Sequence, residues 1–221
     1  MERQAGEPHF ERRWPVALAF LAVSLLLALL PARIVVVPRW AALGAGIAML
    51  TPIVAVGLTG GRERWLRVER VVTFLFFGVT AVFTIINLAN LISAIINRSG
   101  EVTGIELLTS SVAVWISNVL VFSLLYWQMD RGGPEARVNR RPARTDWLFP
   151  QQGAPAEDVP SGWRPQYVDY LYLSYSTATA FSTTDVMPLT ARAKLLMMLE
   201  SSISLVTLVV VGARAINIFG S

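Results

Sequence analysis

Cysteine is absent from the chain, and histidine occurs once, as His9 in the polar N-terminal tail. Disulfides, iron–sulfur clusters and thiolate zinc sites are thereby excluded. A histidine-rich metal site and a Ser-His-Asp triad lack their histidine. Gly-rich phosphate loops, His-Glu-x-x-His and G-x-S-x-G motifs are also missing. No catalytic constellation and no cofactor are expected. Charge is scarce too: 15% of the 221 residues are charged, against about 25% in soluble domains.

What fills the chain instead is apolar, 54% of all residues, with a mean hydropathy of +0.52. The apolar residues gather in long runs, and a 24.3 kDa soluble globule has too little interior to bury five of them. The chain is expected to be an all-α integral membrane protein. The first span is Trp14 to about Leu30, uncleaved, behind the charges of Glu11, Arg12 and Arg13. The second runs from about Trp40 to Leu58 with Pro52 inside, the third from Val71 to about Ile96. The fourth runs from about Leu107 to Met129, ending near the interface-type pair Tyr126-Trp127. The last runs from about Leu195 to Ile218. Residues 130–166 are rich in Arg and Pro and predict a polar loop. Its patch Asp146-Trp147-Leu148-Phe149-Pro150 is expected to dock on the bundle, with headgroup contact as the alternative.

The organisation is thus a four-helix membrane shell (1–129), a loop (130–166) and a C-terminal unit (167–221). Lys and Arg accumulate on the cytoplasmic side of membrane proteins. With the N-terminus inside, the tail, the second connection and the 130–166 loop put 13 Arg in the cytoplasm. Arg33, Arg39 and Arg98 fall outside. An N-in orientation follows. The net charge of +4 is read as topology and headgroup contact, with no nucleic-acid partner.

Two helices carry polar stripes. In the last, Glu200, Ser204, Thr207 and Arg214 fall at i, i+4, i+7 and i+14, on one face. A carboxyl inside a span costs a few kcal/mol on insertion scales and turns toward protein or water. Glu200 then either attracts cations on an aqueous path or binds a neighbouring helix. In the third helix, Thr73, Thr80, Thr84 and Asn87 form a similar stripe, with Asn90 to one side. These are expected to join helices, with Asn118 and Ser117 of the fourth as partners.

Residues 172–190 read Tyr-Leu-Ser-Tyr-Ser-Thr-Ala-Thr-Ala-Phe-Ser-Thr-Thr-Asp-Val-Met-Pro-Leu-Thr. This stretch resembles the pore helix and filter of the potassium-channel superfamily: a short Ser/Thr-rich helix, a signature ending in Asp, then x-x-Pro-x-Thr and the inner helix. Asp185, Pro188 and Thr190 take the matching places, and Thr179-Ala180 precede the filter. The string also resembles an uncharacterised bacterial family of channel-like membrane proteins. The resemblance spans Tyr167 to Ile218, about a quarter of the chain. It implies a homo-tetramer around a central path and a bacterial cytoplasmic membrane location. The potassium filter's two glycines are missing from Ala180 to Thr184, and glycine is what lets successive carbonyls point inward. A passing monovalent cation would stay partly hydrated, meeting Ser182, Thr183, Thr184 and Asp185, with weak selectivity.

Two topologies stay open for 167–187: a re-entrant short helix, which its polarity favours, or a fifth span. The family's pore loop dips in from outside, whereas an N-in start makes this one enter from the cytoplasm. The leading expectation is an oligomeric cation channel or channel-like protein. A non-conducting scaffold or sensor and a small secondary transporter are the alternatives.

Overall fold

The structure is a computed structural model, and it describes residues 13–29, 39–59, 63–96, 104–138, 143–181 and 185–219. Its helices are α1 (Trp14–Leu29), α2 (Arg39–Leu58), α3 (Glu63–Ile96), α4 (Gly104–Met129), α5 (Pro134–Val138), α6 (Tyr167–Ala180) and α7 (Ala191–Phe219). Among the described residues, α3, α4 and α7 contain stretches long and apolar enough to cross a membrane: Arg64–Ile86, Leu108–Gly132 and Ala191–Val210. The apolar stretches of α1 and α2, Trp14–Leu29 and Gly46–Leu58, are shorter. The helices have almost no amphipathic bias. That is the expected pattern when apolar side chains serve both the interior and a lipid-facing surface.

Helices α1 to α4 form an up-and-down bundle. α1 packs on α2 and α4, α2 on α3, and α3 on α4. Close approach of α1 and α2 rests on Gly46, where a Cβ would fall 2.3 Å from Ser24 Oγ. Val16, Phe20 and Val23 of α1 are fully buried, and the Phe20 ring meets Phe76 of α3 edge-on at 5.0 Å.

One end of this bundle gathers the connections that carry arginine. Arg13, before α1, forms an ion pair with Glu69 near the start of α3. Arg70 of α3 lies beside Gly133, just past the end of α4. Gly133 sits at φ +95°, and a side chain there would meet both Arg70 Nη2 and Gln128 O at 3.0 Å, so glycine is required at this turn. α3 begins at Glu63, eight residues ahead of the expected span, because its charged first turns run along this end.

The expected polar loop is more structured than its composition implies. Strand β1 (Trp147–Leu148) pairs antiparallel with β2 (Met187–Pro188), in register Trp147↔Pro188 and Leu148↔Met187. Trp147 is fully buried and Phe149 nearly so. The patch docks on the bundle: the Trp147 ring packs at a tilt against Tyr126, centroids 4.7 Å apart, and donates its indole N–H to Met197 Sδ at 3.3 Å. Asp146, preceding it, is the anchor that turns a Pro-rich loop into a fixed cover.

Candidate functional site

The C-terminal unit, α6 and α7, packs on α4 of the shell, and the three helices all pack on one another. α6 starts beside the arginine-bearing end: Tyr167 shares a 2.8 Å hydrogen bond with Ser123 and packs edge-on against Trp127. Its first turn is closed by Gln166 N–H donating to Asp169 Oδ2 at 2.7 Å, a carboxylate at a helix N-terminus. Burial raises the Asp169 carboxyl above its ordinary range, and that backbone bond acts in the opposite direction.

α7 starts at the same end. Leu189 N–H donates to Asp146 O at 2.8 Å, and β2 lies against β1. From there α6 and α7 run parallel. Ser174 meets Glu200, and three residues further Thr177 O accepts from Ser201 at 3.3 Å. Glu200 lies nine residues into α7, about 14 Å along it, and the 14-residue α6 is about 21 Å long. The chain after α6 therefore doubles back. Met187, in β2, lies back at the end where α6 began. The turn opens at Phe181, a non-glycine residue in the left-handed region at φ 52°. Glycine, absent here, is the usual residue for that conformation.

Thr179, near the C-terminal end of α6, and Asp185, held beside Tyr172 in the first half of α6, are both exposed. Thr179 Oγ1 donates to Tyr175 O at 2.7 Å, and Tyr172 OH donates to Asp185 Oδ2 at 3.0 Å. Ser182, Thr183 and Thr184 lie outside the described residues.

The stripe on α7 faces the seam with α4 and α6. Glu200, Ser204 and Thr207 are all fully buried. Glu200 Oε2 accepts from Tyr126 OH at 2.5 Å, and Oε1 contacts Ser174 Oγ. Ser174 Oγ also lies 2.7 Å from Val119 O. Asn118 Nδ2 donates to Ser204 Oγ at 2.9 Å and to Glu200 O at 3.3 Å. Thr207 Oγ1 turns back to Ile203 O at 2.7 Å. Of the two settings open to Glu200 in the sequence, the single chain adopts the helix-binding one. Arg214 has a helical backbone, and its side chain lies outside the described residues.

The third-helix stripe behaves differently from expectation. Thr73 and Thr84 donate to Glu69 O and Thr80 O within their own helix, at 2.8 and 2.9 Å. A hydroxyl one turn along finds that carbonyl more easily than a partner across a seam. Asn118, expected to meet this stripe, points to α7 instead. The side chains of Asn87 and Asn90 lie outside the described residues, as do His9, Arg33 and Arg98.

A second polar cluster, at the arginine-bearing end, was not legible as a site. Buried Asp146 accepts from Arg192 Nε at 2.7 Å, Arg192 Nη2 at 2.5 Å and Thr190 Oγ1 at 2.6 Å. Its own N–H donates to Asp130 Oδ1 at 2.8 Å, and Asp130 Oδ2 accepts from Tyr170 OH at 2.7 Å. The cluster ties the end of α4, the loop, α6 and the start of α7 together. Its signal in the sequence was a carboxylate flanking an aromatic patch, and an arginine two residues past Thr190.

No group of three or more metal-ligating side chains occurs among the described residues. Comparison with protein-family models, curated proteins and solved structures finds no match.

Proposed function

We propose that the chain is a multi-pass protein of a bacterial cytoplasmic membrane whose α4–α6–α7 unit is a re-entrant pore module in a cyclic homo-oligomer. It passes partly hydrated monovalent cations with weak selectivity. The observation that carries this is the parallel pairing: α6 and α7 start at one end, where β2 lies just ahead of α7, and run in the same direction side by side. A 21 Å helix is too short for a hydrocarbon core of about 30 Å, and its Tyr, Ser and Thr content suits protein and water better than lipid. Outer helix, short helix, turn and inner helix follow the order of the potassium-channel module that residues 172–190 resemble.

Cyclic association would bring Thr179 and the residues that follow α6, Ser182 to Asp185, around one axis. There hydroxyls and a carboxylate ring would meet the cation. The outer face of α7, with Leu195, Met198, Leu205 and Val209 exposed in one chain, is left for subunits or lipid. The arginines shared by the first turns of α3 and the loop favour a cytoplasmic position for that end. The module then enters from the cytoplasm. Glu200, Ser204 and Thr207 serve as its internal joint.

The test is reconstitution of the full chain in liposomes, with cation flux and oligomer mass measured together. A ring-forming protein whose flux falls in Asp185→Ala, with folding intact, supports the proposal. A monomer without flux refutes it. The alternative, a non-conducting scaffold or sensor, is favoured by one observation: the α7 stripe is sealed and hydrogen-bonded within the chain. It predicts no flux and no effect of Asp185→Ala.

A further inference from the structure

Glu200 is a fully buried carboxyl, and its oxygens meet two hydroxyls, each with one hydrogen to give. Tyr126 OH directs its hydrogen to Glu200 Oε2. Ser174 Oγ has two acceptors in reach, Val119 O at 2.7 Å and Glu200 Oε1. One hydrogen cannot serve both. If Ser174 gives it to Glu200, Val119 O faces the hydroxyl lone pairs at contact distance. If Ser174 gives it to Val119 O, its oxygen lone pairs face Oε1, and a hydrogen must sit on the carboxyl.

We infer that Glu200 is a proton-binding site: a neutral carboxylic acid that donates from Oε1 to Ser174, which donates to Val119 O, while Oε2 accepts from Tyr126. Every hydrogen then has one acceptor, and the chain of bonds runs from α7 through α6 to α4. The surroundings agree. Tyr126 comes from α4, Ser174 from α6, and Asn118 of α4 binds the Glu200 backbone carbonyl rather than the carboxyl. Among the described residues no Lys, Arg or His forms an ion pair with Glu200. Ion pairs among the described residues engage Glu69, Asp130 and Asp146 instead. An ionised carboxylate in that setting would be buried without a counter-charge, which is costly. The site stands independently of conduction, since it lies in the joint and not among the residues that follow α6.

Two measurements on the full-length protein in detergent test it. Infrared spectra at neutral pH should contain a protonated-carboxyl C=O band that shifts in D2O and is lost in Glu200→Gln. The second is thermal unfolding of Glu200→Gln. A neutral amide reproduces the pattern, with its NH2 donating to Ser174 and its oxygen accepting from Tyr126. The expected melting temperature is within a few degrees of the parent, and any parental loss of stability at alkaline pH that Glu200 causes should vanish. Absence of the band from the parent protein overturns the inference. So does a Glu200→Gln chain that melts far lower or fails to fold, because an ionised carboxylate has no such neutral stand-in.

Discussion

Asp146 and Arg192 are a pair whose two halves should respond unequally to removal. Asp146 is wholly buried, whereas the Arg192 side chain is 54% exposed. Asp146→Ala removes three hydrogen bonds, two of them from the guanidinium. Hydrogen bonds to charged groups contribute about 1.5–3 kcal/mol each, but water takes over at the exposed Arg192 and partly at Thr190, leaving a net cost of about 2–3 kcal/mol. The backbone bonds of residue 146 to Asp130 and Leu189 survive the change. Arg192→Ala leaves a buried carboxylate with Thr190 and no cation, and breaking a buried pair from that side costs about 3–5 kcal/mol. At about 2–4 °C per kcal/mol for a chain of this size, the melting temperature should fall by about 4–12 °C in the first variant and further in the second. The double variant should lose less than the sum, since neither charge is stranded, with a coupling of about 1–3 kcal/mol. The assay is thermal unfolding in detergent of the parent, both singles and the double. If Arg192→Ala is milder than Asp146→Ala, or the losses simply add, the cluster does not hold the loop to α7 in the way described.

Other substitutions probe the packing directly. Gly46→Ala forces a Cβ to within 2.3 Å of Ser24 Oγ and should destabilise the α1–α2 contact by about 1–3 kcal/mol. Gly57→Ala, with open space around it, should leave melting unchanged; equal effects of the two would refute the close-approach account. Asn118→Ala removes the α4–α7 bonds to Ser204 and Glu200 O and should cost about 0.6–2 kcal/mol, measured by the same unfolding assay. Thr84→Ala, which loses a bond within its own helix, should cost less than Asn118→Ala.

Much of this organisation is legible in the sequence because the bilayer imposes it one segment at a time. A run such as Val71 to Ile96 is apolar whatever its neighbours are, and a helix that satisfies its own backbone is the local solution. The arginine clusters likewise mark the tail, the second connection and the 130–166 loop as belonging together, and among the described residues Arg13, Arg70 and the turn at Gly133 meet at one end. The short polar helix before the last span could also be recognised, as Tyr167 to Phe181, and the helix ends one residue earlier, at Ala180. Helical spacing put Glu200, Ser204 and Thr207 on one stripe.

Tertiary structure decided where that stripe looks. Periodicity gives a residue's angle around its own helix but not which helix lies across from it. Tyr126, Asn118 and Ser174 come from 26 to 86 residues away from their α7 partners, and only packing brings them together. The same holds for Asp146, whose partners follow it by 44 and 46 residues. Composition marked the loop around it as irregular, while three-dimensional pairing fixed it. Whether Tyr167 to Met187 crosses or doubles back stayed open in the sequence, because its length allows a span while its polarity favours re-entry. The contacts of α6 with α7 and of β1 with β2 show that the two helices start at one end and run parallel, a relation that periodicity and composition do not carry.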